Sequence, residues 1–183
     1  MYVTLIMIGI NIIIFLLVKL LDIQLLAYYL VPAYILSHYA RYILTLFTSI
    51  FIHIDYLHII FNSTALFFLG RIIEPFINSK RFLLIYISSG ITGGISHTLY
   101  TFIIDGENIY TPVIGASGSI SGIIGIAAAA GDRLALFWLL TQIPLAIFSG
   151  IESIAFFAHI GGFITGYSIG KLIKISKYER YSF

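Results

Sequence analysis

Apolar runs long enough to cross a bilayer recur along almost the whole chain. The first covers about residues 2–18, and a spanning helix needs roughly 17–25 such residues. The chain is 60% hydrophobic and 10% charged, with a mean hydropathy of +1.03, whereas soluble domains carry about 25% charged residues. Because the apolar excess is spread along the chain, one core in a soluble fold does not explain it. The sequence therefore predicts an all-α polytopic membrane protein.

Six apolar segments predict six spanning helices within a single membrane domain of residues 1–183. Their predicted bounds are about 2–18, 56–76, 82–104, 115–130, 134–151 and 155–175. The segment between the first two, about 21–51, is broken by polar residues and crowded with tyrosine, a side chain that favours the membrane–water interface. We therefore expect a long first loop with short helices lying in the interface, and not a further span.

The positions of the lysines and arginines test the predicted number of six spans. If both termini are cytoplasmic, eight of the ten lysines and arginines fall in inner segments, as the positive-inside rule requires. With five or seven spans the basic residues would no longer be concentrated in the inner segments. The sequence thus predicts a multi-pass protein of the cell membrane with both termini in the cytoplasm. In this topology the second, fourth and sixth spans all begin at the outer side.

Charge and cysteine content exclude several classes of function. The net charge of +2 is small and dispersed, so we expect no nucleic-acid partner. With no cysteine in the chain, disulfides, thiol chemistry and cysteine-ligated metals are excluded. We expect the lipid bilayer as a partner, and neither a metal nor a cofactor. A small channel or transporter is disfavoured, because the polar residues of the spans cluster at the outer half.

A candidate pair for nucleophilic catalysis lies among these outer polar residues. Ser117 is in a Gly-Ala-Ser-Gly stretch at residues 115–118, and His159 lies about one turn into the sixth span. A serine hydroxyl becomes a strong nucleophile when a base takes its proton, and histidine is the usual base. Small neighbours around both residues allow the two helices to approach to hydrogen-bond distance.

Two further polar residues complete this constellation. His58 and Asn62 are four residues apart and therefore share a helix face. Both can donate hydrogen bonds, and with the backbone N–H of Ser117 at a helix N-terminus they would form an oxyanion hole. His53 lies one to two turns earlier, where a structural or hydrating role is expected.

Other roles for these residues stay open on the residues alone. A serine in a glycine- and alanine-rich membrane helix commonly bonds its own backbone or packs against a neighbour. A histidine within a span is rarer, and it is either functional or a hydrogen-bonded residue of the bundle. Ser119 and Ser121 compete with Ser117 as candidate nucleophiles. Glu152 precedes His159 by seven residues but falls in a predicted loop, so the residues support a dyad and not a triad with an acid.

Together these residues resemble the rhomboid family of intramembrane serine proteases, in its prokaryotic six-helix form. The resemblance covers about residues 40–170 and is carried by 115–118 in the fourth span, His159 with Gly162 and Gly166 in the sixth, the spacing of His53, His58 and Asn62, the run 47–53, and Gly70, Glu74 and Arg81 at the hinge into the third span. It implies a six-helix rhomboid-like bundle. The combination is far more specific than any one of these motifs.

The resemblance implies a role for each site residue. Ser117 would be the nucleophile and His159 the general base, while His58, Asn62 and the Ser117 backbone would form the oxyanion hole. The family cleaves transmembrane protein substrates near their outer ends without ATP or metal. A loop at about 150–153 would cap the site, and the fifth span would flank the path of the substrate. The alternative is a non-catalytic relative that binds transmembrane clients, and such relatives typically lack the serine or the histidine.

Two positions depart from the family pattern. Leu44 and Thr45 stand where members often have Trp-Arg, and Arg41, one turn earlier, is a candidate replacement for that arginine. Ser121 stands where members often place an aromatic ring that packs on the catalytic histidine. Two alternatives follow: His159 is held less firmly, or another aromatic such as Phe156 or Phe157 holds it.

Overall fold

A computed structural model describes residues 1–21, 25–106, 108–148 and 156–175, without the side chains of 25, 26 and 143–148. The α-helices are α1 (Tyr2–Leu20), α2 (Tyr34–Ser37), α3 (Tyr39–Thr48), α4 (Tyr56–Ile77), α5 (Ser79–Tyr100), α6 (Ser117–Ala129), α7 (Arg133–Phe148) and α8 (Phe156–Leu172). Short 3₁₀ turns lie at Leu25–Tyr28, Ser49–Phe51 and Asn108–Tyr110, and a π turn at Thr101–Asp105 extends α5.

Three of these helices are long and apolar enough to cross a membrane. They are α1, α4 and α5 with its π turn, whereas α6 is apolar but has only 13 residues. The all-helical class is therefore confirmed over the described residues, together with the apolar helices of a multi-pass membrane protein. The count of six spans and the position of the first loop in the interface stay predictions. Residues 149–151 and 155 of the predicted fifth and sixth spans lie outside the described residues.

The first loop contains α2 and α3 and is bonded to the segment that leads into α6. The backbone N–H of Val113 donates to the Leu30 carbonyl at 2.8 Å, and that of Ala33 donates to the Ile109 carbonyl at 2.8 Å. Within the loop, Arg41 Nε donates to the Ala27 carbonyl at 3.1 Å. The two bonds between the loop and residues 109–113 fix the approach of the chain to Ser117.

The short helix α6 lies at the centre of the bundle, against α4, α5, α7 and α8. Ten of its 13 residues are buried. Its contact with α8 is backbone on backbone, because a Cβ atom at Gly162 would meet the Gly118 carbonyl oxygen and one at Gly166 would meet the Gly122 carbonyl oxygen. Small residues therefore set the separation of α6 and α8. This is expected in lipid, where the hydrophobic effect does not drive helices together and close packing does.

A buried carboxylate fastens α1 to the junction between α4 and α5. Glu74 is 1% exposed, and its two oxygens accept the backbone N–H groups of Val3 and Thr4, each at 2.9 Å. The hydroxyls of Thr4 and Ser79 also donate to it, each at 2.6 Å. The carboxylate thus satisfies N–H groups of the first turn of α1, which have no acceptor within their own helix.

Replacing Glu74 with leucine is expected to lower the free energy of unfolding by about 3 kcal/mol, because several buried donors lose their acceptor together. Thermal unfolding in detergent, followed by loss of helical circular dichroism, measures the effect. The matched control is Asp132→Ala, which removes a less buried carboxylate whose Oδ1 accepts the Leu134 N–H at 2.9 Å, and which is expected to cost about 1 kcal/mol. Equal losses in the two variants would show that the Glu74 contacts do not hold α1.

Candidate active site

The hydroxyl of Ser117 and the imidazole of His159 are hydrogen-bonded, with 2.9 Å between Oγ and Nε2. Ser117 is the first residue of α6, and His159 lies in the first turn of α8. Both side chains are half-buried. The contact depends on the glycines between the two helices, since a side chain at Gly162 would meet the backbone of Gly118, the residue after the serine.

The second imidazole nitrogen of His159 also has a hydrogen-bond partner. Nδ1 lies 2.9 Å from Oε1 of Gln142 in α7. An amide oxygen can only accept, so with Oε1 as the partner of Nδ1 the neutral ring has its proton at Nδ1 and a lone pair at Nε2. In that tautomer the Ser117 hydroxyl donates to Nε2, which is the arrangement that a general base needs.

Sequence reasoning missed Gln142, although the sequence held a signal. It is a strongly polar amide within an apolar fifth segment, and polar side chains inside membrane helices are rare and commonly functional. The catalytic and oxyanion-hole residues that the resemblance implied lie in the second, fourth and sixth spans only. The rotation of α7 that turns Gln142 towards His159 cannot be predicted from its neighbours in sequence.

Among the described residues two aromatic rings lie near His159, and neither stacks on it. The Phe156 ring lies edge-on, with centroids 6.2 Å apart, and the Trp138 ring is tilted, with centroids 6.1 Å apart. Phe157, the other ring considered for this position, instead stacks on Tyr100 at 3.7 Å. The imidazole is therefore held by ring edges and by hydrogen bonds at both nitrogens.

The two competing serines have other surroundings. Ser121 Oγ donates to the Ser117 carbonyl at 2.6 Å, so it bonds its own helix. Ser119 is fully buried, and its Oγ lies against Gly90 in α5, where an added Cβ would meet it. Within the described part of the chain the Ser119 hydroxyl has no hydrogen-bond partner. Of the three serines, His159 bonds Ser117.

His58 lies against the turn that leads into Ser117. Asp55 caps α4 by accepting the backbone N–H of His58 at 2.8 Å, which fixes the first turn of that helix. The imidazole then fits against Gly115, where an added Cβ would lie only 2.5 Å from Nε2. Gly115 has φ +109°, in the region that favours glycine, and its N–H donates to the Ser49 carbonyl at 2.9 Å.

Asn62 lies one turn further along α4 and is buried. Its Nδ2 donates to the His58 carbonyl at 3.0 Å, which uses one of the two amide N–H groups. Within the described residues neither His58 nor Asn62 hydrogen-bonds to Ser117. The first turn of α6 supplies backbone N–H groups that lack an acceptor in their own helix.

His53 packs on His58 and forms no hydrogen bond through its ring with any described residue. The two rings meet edge to face, with centroids 4.9 Å apart. Burial and the neighbouring His58 lower the pKa of His53 to about 4, so its ring is neutral at pH 7. Glu152 and the expected capping loop at about 150–153 lie outside the described residues. Within the described ranges, no three histidine, cysteine, aspartate or glutamate side chains form a cluster suited to a metal.

Comparison with known proteins adds to this geometry. The family model described as the rhomboid domain matches residues 40–175. The chain is 32% identical over 141 residues to the rhomboid protease GluP of Bacillus subtilis (strain 168), covering 72% of this chain and 26% of that protein. It is 37% identical over 81 residues to the putative rhomboid protease YdcA of the same strain, covering 44% and 38%. It is 30% identical over 135 residues to the RHOMBOID-like protein 1 of Arabidopsis thaliana, covering 68% and 33%. In these matches the chain spans between 26% and 38% of the length of the relative.

Proposed function

The chain belongs to the rhomboid family, and from that membership we propose that it is an intramembrane serine endopeptidase with Ser117 as nucleophile and His159 as general base. Its substrates would be transmembrane proteins, cleaved near the outer ends of their spans. The observation that carries the proposal is the 2.9 Å hydrogen bond between the Ser117 hydroxyl and His159 Nε2. The relatives named rhomboid proteases support the same reaction class.

The dyad performs acyl transfer in two halves. Ser117 Oγ attacks the carbonyl carbon of the scissile peptide while His159 Nε2 takes the hydroxyl proton. The imidazolium then gives that proton to the leaving nitrogen, the C–N bond breaks, and an acyl ester remains on Ser117. A water molecule, deprotonated by His159, attacks the ester and releases the second product and the serine. Every proton transfer in this reaction passes through His159.

Negative charge develops on the carbonyl oxygen at each tetrahedral stage. We assign its stabilisation to the Ser117 backbone N–H at the N-terminus of α6, the His58 ring and the second amide N–H of Asn62. The support for this is the position of Ser117 at the start of α6, the fit of the His58 ring against Gly115, and the Asn62 amide N–H that the His58 carbonyl does not use. Loss of one such donor typically lowers kcat by about 10²–10³-fold.

The proposed setting is the cell membrane, with the connection between α4 and α5 on the cytoplasmic side. The distribution of basic residues supports this orientation. In this orientation α4, α6 and α8 begin at the outer side of the membrane, and the dyad lies at that side. Substrate spans would reach Ser117 from the bilayer, and water would reach it from the outer face.

Replacing Gly115 with alanine is expected to lower cleavage by about 10²-fold. The new Cβ would displace the His58 imidazole, since it would lie 2.5 Å from Nε2, and a displacement of about 1 Å can cost 10²-fold. Cleavage rate and thermal unfolding are measured on the same preparation. Gly106→Ala is the matched control, since it also has positive φ (+68°) but nothing within 4 Å of the added Cβ. Equal cleavage by the two variants would contradict the assignment of His58.

Cleavage by purified protein in liposomes tests the proposed function. The substrate is a single-span protein with a fluorescent tag at its outer end, and mass spectrometry locates the cut. We expect wild-type protein, Ser119→Ala and Ser121→Ala to cleave it and Ser117→Ala to be inactive. Cleavage that survives Ser117→Ala contradicts the proposal. Binding of spans without cleavage by wild-type protein would favour the non-catalytic alternative.

A further inference from the structure

Gln142 connects α7 to the dyad at the nitrogen of His159 that does not face the serine. It is 6% exposed, and its Oε1 lies 2.9 Å from His159 Nδ1. A buried amide in an apolar helix is costly unless its groups are hydrogen-bonded. Here the oxygen bonds the histidine of the proposed dyad, 17 residues further along the chain.

The orientation of the amide is set by its other contacts. Nε2 of Gln142 faces the Trp138 carbonyl at 3.5 Å and the Thr141 hydroxyl at 3.4 Å. The Thr141 hydroxyl in turn donates to the Trp138 carbonyl at 2.6 Å. A reversed amide would turn its oxygen towards that carbonyl, placing two acceptors together. The backbone of α7 therefore favours the orientation with Oε1 towards His159.

We propose that Gln142 is a positioning residue that holds His159 in the tautomer protonated at Nδ1. This inference rests on the proposed function. The amide oxygen accepts the Nδ1–H both in the neutral ring and in the imidazolium, so Nε2 takes the serine proton without a change of partner at Nδ1. In a serine–histidine–acid triad a carboxylate has this task. In this chain a neutral amide performs it and avoids a buried charge within the membrane.

The surroundings of His159 explain why such a partner matters here. The residue one turn after the nucleophile is Ser121, whose hydroxyl bonds the Ser117 carbonyl, so no ring packs on the imidazole from that position. Trp138 and Phe156 approach with centroids just over 6 Å away, tilted and edge-on. These rings limit the space around the imidazole but do not favour either tautomer. The hydrogen bond from Nδ1 to Gln142 favours the tautomer protonated at Nδ1.

Gln142→Met tests the inference, because methionine has a similar length and no comparable acceptor. We expect a fall of about 10- to 100-fold in kcat, with KM within about twofold, and the same fall in the rate of labelling by a fluorophosphonate. Leu140→Met, at a side chain that is 61% exposed on the same helix, controls for a new methionine in α7 and is expected to match wild-type protein. Gln142→Glu restores an acceptor oxygen and is expected to recover most of the rate.

The tautomer itself is read by NMR of ¹⁵N-histidine-labelled protein, with His159→Asn assigning the signals. We expect wild-type His159 to show a protonated Nδ1 and an unprotonated Nε2, and Gln142→Met to lose this preference, which a purely structural role would not alter. A resting wild-type ring protonated at Nε2, or unchanged tautomer and labelling in Gln142→Met, would overturn the inference. Either result leaves the proposed function standing if Ser117→Ala still abolishes labelling. Absence of labelling in wild-type protein would instead defeat the proposed function.

Discussion

Replacing His159 with alanine is expected to lower cleavage of a transmembrane substrate by about 10⁴-fold or more. The variant loses the base that takes the Ser117 proton and the acid that protonates the leaving nitrogen. The remaining hydroxyl has no acceptor at the position of Nε2, 2.9 Å away in the native site. The fold should persist, because His159 is only half-buried and lies in the first turn of α8.

The measurement is initial cleavage rate in liposomes, with thermal unfolding of each variant as a check on folding. His38→Ala is the matched control. That histidine is exposed in the first loop and hydrogen-bonds its neighbour Ser37, so the variant is expected to cleave at the wild-type rate. A His159→Ala variant that keeps more than about a tenth of wild-type activity would remove the basis for calling this residue the general base.

Replacing Gly162 with alanine is expected to lower cleavage by about 10²-fold. The added Cβ would meet the Gly118 carbonyl oxygen and lie 3.2 Å from the Ser89 carbonyl oxygen. Neither is the end of a flexible side chain, so α8 must move away from α6 and α5. Because Gly118 follows the proposed nucleophile, this movement separates Ser117 from His159. Overpacking should also lower the free energy of unfolding by about 1–3 kcal/mol.

Gly9→Ala separates this effect from the general effect of adding a methyl group to a membrane helix. A Cβ at Gly9 in α1 would have nothing within 4 Å, and alanine favours helix over glycine by about 1 kcal/mol. We expect Gly9→Ala to match wild-type protein in cleavage and to be no less stable. Equal behaviour of Gly162→Ala and Gly9→Ala would contradict the view that direct backbone contact sets the geometry of the dyad.

Helix positions were predictable because apolar runs and their polar ends lie along the chain itself. The apolar segments at about 56–76 and 115–130 overlap the helices α4 at Tyr56–Ile77 and α6 at Ser117–Ala129, and that both span a membrane stays a prediction. The meeting of Ser117 with His159 was also foreseeable, since the positive-inside rule places both helix starts at one side and glycines allow close contact. The roles of these residues remain proposals.

Contacts that depend on helix rotation or on loop pairing could not be predicted. Nothing in the periodicity of α7 shows that Gln142, and not Thr141, faces His159. The pairing of Leu30 with Val113 joins two irregular segments. The sequence of such segments does not specify which residues pair. The acceptor for the N–H groups of Val3 and Thr4 comes from Glu74, about 70 residues away. Such partners follow from tertiary packing, which composition and spacing do not specify.

The most direct test of the central claim is to locate the covalent adduct of a fluorophosphonate. Purified protein in liposomes is treated with the reagent and digested, and the modified residue is identified by tandem mass spectrometry. We predict a single adduct on Ser117, present in Ser119→Ala and Ser121→Ala and absent in Ser117→Ala and His159→Ala. An adduct on Ser119 or Ser121, or substrate cleavage by a protein that forms no adduct at Ser117, would contradict the account.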